Sequence, residues 1–274
     1  TVISMDDELF YVYEYDRDVF TVYNYIDSVC SERKTENKGA RDIMKRVLLK
    51  LSGEALAGDK KTGFDEATCM GVAKQVKQLV DDGVQVAIVT GGGNFWRGRT
   101  SETIDRVKAD QIGMLATVMN CIYVSDICRY LGLKTEIFTP FVCGAFTKLY
   151  SKDAVEEAFA EGKILFFAGG TGHPYFSTDT GVALRAIEMD ADCILLAKAI
   201  DGVYDSDPKI NPDAKKYDTI TIQEVIDKQL AVVDLTASIM CMENHVPMAV
   251  FSLNEKDGIV NAMRGKINGT VVTA

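Results

Sequence analysis

Short apolar runs alternate along most of the chain with longer segments in which apolar residues recur every three or four positions. The short runs are typical of buried strands. We predict strands at Arg46–Leu51, Gln85–Thr90, Thr135–Thr139, Lys163–Ala168, Cys193–Ala197, Met248–Ser252 and Thr270–Thr273. The amphipathic segments predict helices at Asp65–Asp82, Thr103–Leu131, Ser151–Ala160, Thr178–Met189, Thr221–Gln229, Thr236–Glu243 and Asp257–Arg264. This alternation predicts a three-layer α/β/α fold, with a mainly parallel central sheet sandwiched between helices.

Two segments depart from this alternation. In residues 1–43, Tyr11–Tyr15 and Tyr23–Tyr25 alternate in a strand-like way, but an isolated hairpin is rarely stable in water. We expect residues 1–43 to be an N-terminal extension with little structure of its own, and the folded domain to occupy residues 44–274. A tail that docks on the domain or on a partner is the alternative. The turn-rich Asp201–Tyr217 segment predicts a division between an N-terminal and a C-terminal lobe.

Composition narrows the classes of partner. The chain has 274 residues, is 47% hydrophobic and carries a net charge of -10, so we expect a globular protein that does not bind nucleic acid through clustered Lys and Arg. No apolar run approaches about 18 residues, which argues against a membrane span and favours the cytoplasm. The seven cysteines contain no Cys-x-x-Cys pair and are interpreted as small core residues in a reducing compartment.

Glycine-bearing loops follow three of the predicted strands. They are Lys50-Leu51-Ser52-Gly53, Gly91-Gly92-Gly93 and Gly169-Gly170-Thr171-Gly172. Bare glycine backbone approaches a phosphate closely, and the carboxyl ends of parallel strands gather at one edge of a sheet. A glycine cluster alone is equally consistent with a turn that binds no ligand. Three such loops together predict one shared anion-binding cleft.

Charged residues accompany these loops. Lys50 interrupts an apolar strand near its end and Lys198 follows another, where each alone is consistent with an edge charge and the two together favour a site. Asp179 would begin a helix, where it either caps the N-terminus or holds both lysines in place. Asp207 precedes a proline and either binds a magnesium nucleotide or makes an Asx-turn.

Several common site classes are poorly supported. The chain has no Gly-x-x-x-x-Gly-Lys-Ser/Thr motif and no Gly-x-Gly-x-x-Gly motif after a strand. His173 and His245 are its only histidines, so imidazole-ligated metal centres and Ser-His hydrolases are not favoured.

Five motifs in order resemble those of the bacterial-type UMP kinases of the amino acid kinase superfamily. They are Lys45–Leu56, Gly91–Gly98, Ala109–Asn120, Gly170–Asp179 and Asp201–Pro208. The resemblance covers about residues 45–274 and implies an amino acid kinase-like fold that transfers a phosphoryl group from ATP, with Mg²⁺, to UMP.

The resemblance also implies residue roles. ATP-binding positions are Lys50, Leu51, Ser52, Gly53, Gly93, Arg97, Lys198, Tyr204 and Asp207, and Asp207 is the one candidate metal contact. UMP-binding positions are Gly92, Asp110, Thr171, Gly172, His173, Pro174, Tyr175, Phe176, Ser177 and Thr178, with Asp110 placed for the ribose hydroxyls. The catalytic set is Lys50, Lys198, Asp179 and Arg97. In this set, the two lysines flank the transferred phosphoryl group and Asp179 orients them.

Regulation and assembly follow from the same resemblance. It implies a homohexamer activated by GTP and inhibited by UTP, with an allosteric segment at Gly58, Asp59, Lys60, Lys61, Thr62 and Gly63, for which a plain solvated turn is an equal alternative. The 103–131 helix is a candidate interface or a core helix. His173 and Ala199 depart from the family pattern, which leaves their contacts with nucleotide open.

Two alternatives remain from the residues. A superfamily kinase acting on a carboxylate or carbamate should lack the Gly-Thr-Gly segment that begins at Gly170 and the helix that carries Asp110. A non-enzymatic nucleotide-binding relative should have lost a catalytic lysine or Asp179. The sequence keeps all of these features.

Overall fold

A computed structural model describes residues 2–5, 8–11, 46–97, 103–230 and 232–274. Near the N-terminus, β1 (Val2–Met5) and β2 (Glu8–Tyr11) pair antiparallel. The hairpin considered for Tyr11–Tyr15 and Tyr23–Tyr25 falls, apart from Tyr11, outside the described residues.

In the described part of the chain, nine strands form the central sheet. They are β3 (Arg46–Leu51), β4 (Gln85–Thr90), β5 (Thr135–Thr139), β6 (Lys148–Leu149), β7 (Ile164–Phe167), β8 (Cys193–Lys198), β11 (Thr219–Thr221), β12 (Met248–Ser252) and β13 (Gly269–Thr273). Their order is β11-β13-β12-β8-β3-β4-β7-β5-β6, and each neighbouring pair is parallel except β12 with β13. The mainly parallel sheet is therefore confirmed.

Helices cover both faces of the sheet. They are α1 (Gly53–Ala57), α2 (Glu66–Asp81), α3 (Arg106–Tyr130), α4 (Lys152–Ala160), α5 (Thr178–Glu188), α6 (Ile222–Asp227), α7 (Leu235–Glu243) and α8 (Gly258–Met263). One core layer packs α2, α3 and α8 on the sheet, and the other packs α4 to α7. Alternate strand residues serve opposite layers, as Leu48 and Leu49 do, because side chains alternate across a strand.

The Asp201–Tyr217 segment lies between two groups of strands that belong to one sheet. It carries β9 (Val203–Tyr204) and β10 (Lys216–Tyr217), which form their own antiparallel pair. Strands from before and after it belong to one sheet, in which β12 lies beside β8. The strands that follow the segment, β11, β12 and β13, occupy one end of this sheet, so the two predicted parts share a continuous sheet and its core.

Helix α3 is the one helix in the described residues that is long and apolar enough to span a membrane. Its Val118, Cys121 and Val124 are buried in the core between α2 and the sheet, so it serves the fold as a core helix. The opposite face exposes an apolar stripe of Ile112, Leu115, Met119 and Ile122.

The cysteines act as small core residues where the structure describes them. Cys69, Cys121, Cys128, Cys193 and Cys241 are buried and Cys143 is partly buried, while Cys30 lies outside the described residues. Burial raises the pKa of Cys121 and of Cys128 to about 12, which keeps these thiols protonated and unreactive.

Candidate active site

The three glycine loops meet in one cleft at the carboxyl edge of the sheet. Strands β8, β3, β4 and β7 are consecutive neighbours and parallel, so the loops that follow them lie side by side. The cleft has a volume of about 460 Å³. Predicted site residues that line it are Lys50, Gly92, Gly93, Arg97, Asp110, Thr171, His173, Phe176, Ser177, Thr178 and Asp179. The predicted shared cleft is confirmed.

The first two loops can contact each other closely because glycine has no side chain. A Cβ built on Gly53 would lie 2.5 Å from the Gly91 carbonyl oxygen and 2.9 Å from the Gly93 nitrogen. A Cβ on Gly92 would lie 2.9 Å from the Cβ of Ala116 on α3. These glycines therefore pack the cleft floor between α1 and α3, a role separate from any approach to phosphate.

A buried amide pair fixes the second loop. Asn94 and Asn120 exchange side-chain hydrogen bonds of 2.9 and 2.8 Å, and Asn120 also donates to the Gly91 carbonyl at 2.6 Å. Asn94 donates in addition to the Gly63 carbonyl at 2.8 Å. Because both amides are almost fully buried, the loop is tied to α3 and to Gly63 by satisfied polar contacts.

Asp179 and Lys50 form the charged centre of the cleft, and Lys198 lies near enough to sense both charges. Lys50 Nζ lies 3.0 Å from Asp179 Oδ1, and both side chains are largely buried. The contact is electrostatic, since this buried oxygen has no hydrogen-bond donor among the described residues. Lys198 donates to the Val232 carbonyl and does not line the cleft. Burial lowers the pKa of Lys198, an effect that the nearby charge of Asp179 opposes and that of Lys50 reinforces.

Helix α5 carries Asp179 in its first turn, but Asp179 does not cap the helix. The N-cap is Ser177, whose hydroxyl accepts from the Asp179 and Thr180 amides at 3.0 and 3.2 Å. The capping alternative considered for Asp179 is therefore wrong, and its carboxylate is left for the lysines.

Asp234 anchors this turn from the neighbouring helix. Its carboxylate caps α7 by accepting from the Ala237 amide at 3.0 Å, and it also accepts from the hydroxyls of Ser177 and Thr180. Burial raises the pKa of the Asp234 carboxyl, but the hydrogen bonds from Ser177, Ala237 and Thr180 outweigh burial and leave its pKa below the ordinary value. Asp234 thus joins the starts of α5 and α7.

We expect Asp234→Ala to lower the free energy of unfolding by about 1–3 kcal/mol at pH 7 and to raise KM for the phosphoryl acceptor, because the cap and both hydroxyl contacts are lost. Because the Asp234 carboxyl has a lower pKa in the folded than in the unfolded protein, its ionised form stabilises the fold above about pH 3.9. This contribution disappears as the pH falls through the folded-state pKa. Urea unfolding of both proteins between pH 3 and 7 measures this contribution to the free energy of unfolding. Asp65→Ala, which removes the α2 cap and the contact with the Thr68 hydroxyl, is the matched control and should leave KM unchanged.

The Thr171–Thr178 segment is positioned by α3, and we call it the acceptor loop after the UMP-binding role predicted for it from the sequence. Thr117 accepts from the Gly169 amide at 2.8 Å, just before the loop. Asp110 Oδ2 accepts from the Tyr175 amide at 2.8 Å, and Arg106 Nε lies 2.8 and 2.9 Å from the two Asp110 oxygens. Asp110 therefore faces the cleft while fixed to both the helix and the loop.

Arg97 follows the second glycine loop in sequence and also lines the cleft. It pairs with Glu54 of α1 at 2.5 Å, and both side chains are mostly exposed. An exposed pair of this kind is held weakly and adds little to the stability of the fold.

Several predicted site residues do not line the cleft. Leu51 belongs to the core, Ser52 caps α1 through the Ala55 amide, and Gly53 packs against the second loop. Gly172, Pro174 and Tyr175 lie in the acceptor loop without lining the cavity. Tyr204 donates to Asp201 at 2.9 Å. Asp207 accepts from the Lys209 amide at 2.9 Å, which is the Asx-turn geometry.

The 58–63 segment lies outside the cleft but contacts it indirectly. It forms a short 3-10 turn (Gly58–Lys60) and ends at Gly63, whose amide donates to the Asn94 carbonyl at 3.3 Å. The segment is therefore in contact with the glycine loop, and its allosteric role stays a prediction.

The Mg²⁺ that the sequence resemblance implies would arrive on ATP and would need only one or two protein carboxylates. The described residues hold no cluster of three metal-ligating side chains. They do offer the Asp179 carboxylate at the cleft, where its Oδ1 already contacts Lys50 Nζ at 3.0 Å. The site therefore fits a metal carried mainly by nucleotide phosphates.

Five important residues were not singled out from the sequence. They are Glu54, Asn94, Arg106, Asn120 and Asp234. Asn94 and Asn120 lie inside two of the five motifs. Asn120 could have been identified from the sequence, because it is a polar residue in a largely apolar helical segment. Asp234 is separated from Ser177 by 57 positions, and its role depends on tertiary contact.

Comparison with known proteins agrees with this geometry. The Amino acid kinase family model matches residues 45–252. A UMP kinase from Ureaplasma parvum is 33% identical with a TM-score of 0.81, covering 85% of this chain and 100% of that chain. A UMP kinase from Bacillus anthracis is 34% identical with a TM-score of 0.81, covering 85% and 97%. The uridylate kinase from Archaeoglobus fulgidus, 24% identical with a TM-score of 0.65 and coverage of 84% and 100%, shares the fold. The chain belongs to the amino acid kinase family.

Proposed function

We propose that this enzyme transfers the γ-phosphoryl group of ATP to UMP and forms UDP and ADP for pyrimidine nucleotide biosynthesis. The observation that carries the proposal is the ion pair of Lys50 with Asp179 in the cleft where the three glycine loops meet. The similarity to bacterial UMP kinases supports UMP as the acceptor.

The charged centre suits a phosphoryl transfer. The transition state is loose, so the protein acts by aligning donor and acceptor and by neutralising charge on the equatorial oxygens. Lys50 supplies positive charge at the cleft, Asp179 holds its ammonium in place, and Arg97 supplies a second cation. Mg²⁺, held by ATP phosphates and Asp179, would neutralise further phosphate charge. No general base is needed, since a phosphate monoester is largely ionised near neutral pH.

Donor and acceptor would lie on either side of the second glycine loop. We assign ATP to the side of Gly93 and Arg97, and UMP to the side of Gly92, Asp110 and the acceptor loop. Asp110 faces the cleft, which supports its assignment to the ribose hydroxyls. His173 also lines the cleft and would contact the acceptor.

Assembly and regulation are part of the same proposal. The exposed stripe of Ile112, Leu115, Met119 and Ile122 on α3 supports self-association, and we propose a homohexamer in the cytoplasm. The contact of Gly63 with Asn94 supports a path from the 58–63 segment to the cleft for GTP activation. UTP would inhibit by occupying nucleotide sites. We assign residues 1–43 to an extension outside the kinase domain.

An ADP-release assay with a panel of acceptors tests the proposal. We expect rapid turnover with UMP, much slower turnover with CMP and dUMP, and none with aspartate, glutamate or carbamate. Omission of magnesium should abolish the reaction. CMP turnover equal to that with UMP, or no turnover with UMP, would show that the assigned acceptor is wrong.

A further inference from the structure

Three residues join α3 to the acceptor loop beside the cleft. Arg106 Nε lies 2.9 and 2.8 Å from the Asp110 oxygens, and Asp110 Oδ2 accepts from the Tyr175 amide at 2.8 Å. The Arg106 guanidinium also lies over the Tyr175 ring, 5.2 Å from its centre. We call this arrangement of Arg106, Asp110 and Tyr175 the clasp.

The clasp holds a strained backbone. Tyr175 has φ of +73°, in the left-handed region that residues with a Cβ rarely adopt. Its amide is held by Asp110, and its ring lies under Arg106. These two contacts offset the strain and keep the acceptor loop against α3.

The helix dipole does not explain the position of Arg106. It is the first residue of α3, directly after the N-cap Asp105, where the helix dipole disfavours a cation. Its terminal nitrogens make no hydrogen bond within the described residues, while its Nε contacts Asp110 and its side chain lines the cleft. The contacts of Arg106 thus serve the cleft and the loop.

We propose that Arg106 is a positioning residue of the acceptor site. It fixes Asp110 so that the carboxylate can hold Tyr175, and it thereby keeps the acceptor loop closed against α3. It also neutralises Asp110, whose charge would otherwise repel an anionic acceptor. The inference rests on the proposed function and deepens it, because it assigns recognition of the nucleoside monophosphate, and not of ATP, to the clasp.

Arg106→Gln tests this role against a matched control. We expect KM for UMP to rise at least about tenfold, because a charge-assisted contact is lost, while KM for ATP and kcat change less than about twofold. Lys108→Gln removes the same charge from the same turn without touching Asp110 and should change neither KM. Arg106→Lys keeps the charge but not the planar guanidinium and should give an intermediate KM for UMP.

A second pair of variants tests the strain. Tyr175→Ala and Tyr175→Gly both remove the ring, but only glycine adopts a positive φ freely. KM for UMP should therefore be higher for the alanine variant than for the glycine variant. Equal values would overturn the part of the proposal that concerns strain.

Binding measured without turnover separates this inference from the proposed function. Trp96 is the only tryptophan of the chain and lines the cleft, so its fluorescence reports UMP binding directly. If the unaltered enzyme neither binds UMP nor turns it over, the proposed function fails and the clasp fails with it. If the unaltered enzyme does both, and Arg106→Gln binds UMP with unchanged affinity, the clasp alone is wrong. A rise in KM for ATP equal to that for UMP would also overturn it.

Discussion

Asp179→Asn is expected to lower kcat about 10³-fold while the protein still folds and binds nucleotide, since removal of a single preorganised charge from an active site has effects of this size. The carboxylate faces Lys50 at 3.0 Å in a largely buried setting and opposes the depression of the Lys198 pKa. Without it, the Lys50 ammonium loses the carboxylate that holds it in place for the transferred phosphoryl group, and the nearby charges of Lys50 and Lys198 are no longer balanced.

The pH profile shows whether the effect is electrostatic. Asp179 raises the pKa of Lys198 relative to burial alone, so its loss lowers that pKa further. The resemblance to UMP kinases assigns protonated Lys198 to the catalytic set, so a lower Lys198 pKa should move the alkaline limb of kcat toward neutral pH in the variant. Asp190→Asn removes an exposed aspartate that pairs with Lys152 at 2.6 Å just after the same helix, and it should leave kcat and the limb unchanged. Undiminished kcat in Asp179→Asn would remove Asp179 from the mechanism.

The sequence predicts the sheet because strand burial leaves a local signal. The strands Arg46–Leu51, Gln85–Thr90, Thr135–Thr139 and Met248–Ser252 are observed with the predicted bounds. Short elements such as Lys148–Leu149 and Thr219–Thr221 were not predicted. Two or three residues give no periodicity to detect, and their pairing depends on strands distant in the sequence.

The position of the cleft was also predictable, because parallel topology brings together the loops that follow neighbouring strands. The orientation of individual side chains was not. Lys198 lies at the predicted strand end, yet its ammonium donates to the Val232 carbonyl, a group 34 positions away. Asp234 and the Asn94–Asn120 pair act through similar long-range contacts, which no local pattern contains.

Gly53→Ala separates two roles that the sequence could not distinguish. If Gly53 only lets ATP approach the backbone, an added methyl group should raise KM for ATP and leave stability unchanged. The structure instead places Gly53 against the second loop, with 2.5 Å between the added Cβ and the Gly91 carbonyl oxygen or Asn94 Oδ1. A backbone contact this short cannot relax by rotating a side chain, so the loops must move apart.

We therefore expect Gly53→Ala to lower the free energy of unfolding by about 3 kcal/mol and kcat/KM at least about 100-fold, because overpacking displaces the cleft floor. Gly71→Ala is the matched control: it lies within α2, its Cβ would meet nothing within 4 Å, and it should stabilise the protein by about 1 kcal/mol. Urea unfolding and steady-state kinetics measure both variants. Unchanged stability with a raised KM for ATP alone would show that Gly53 serves the nucleotide and not the contact between the loops.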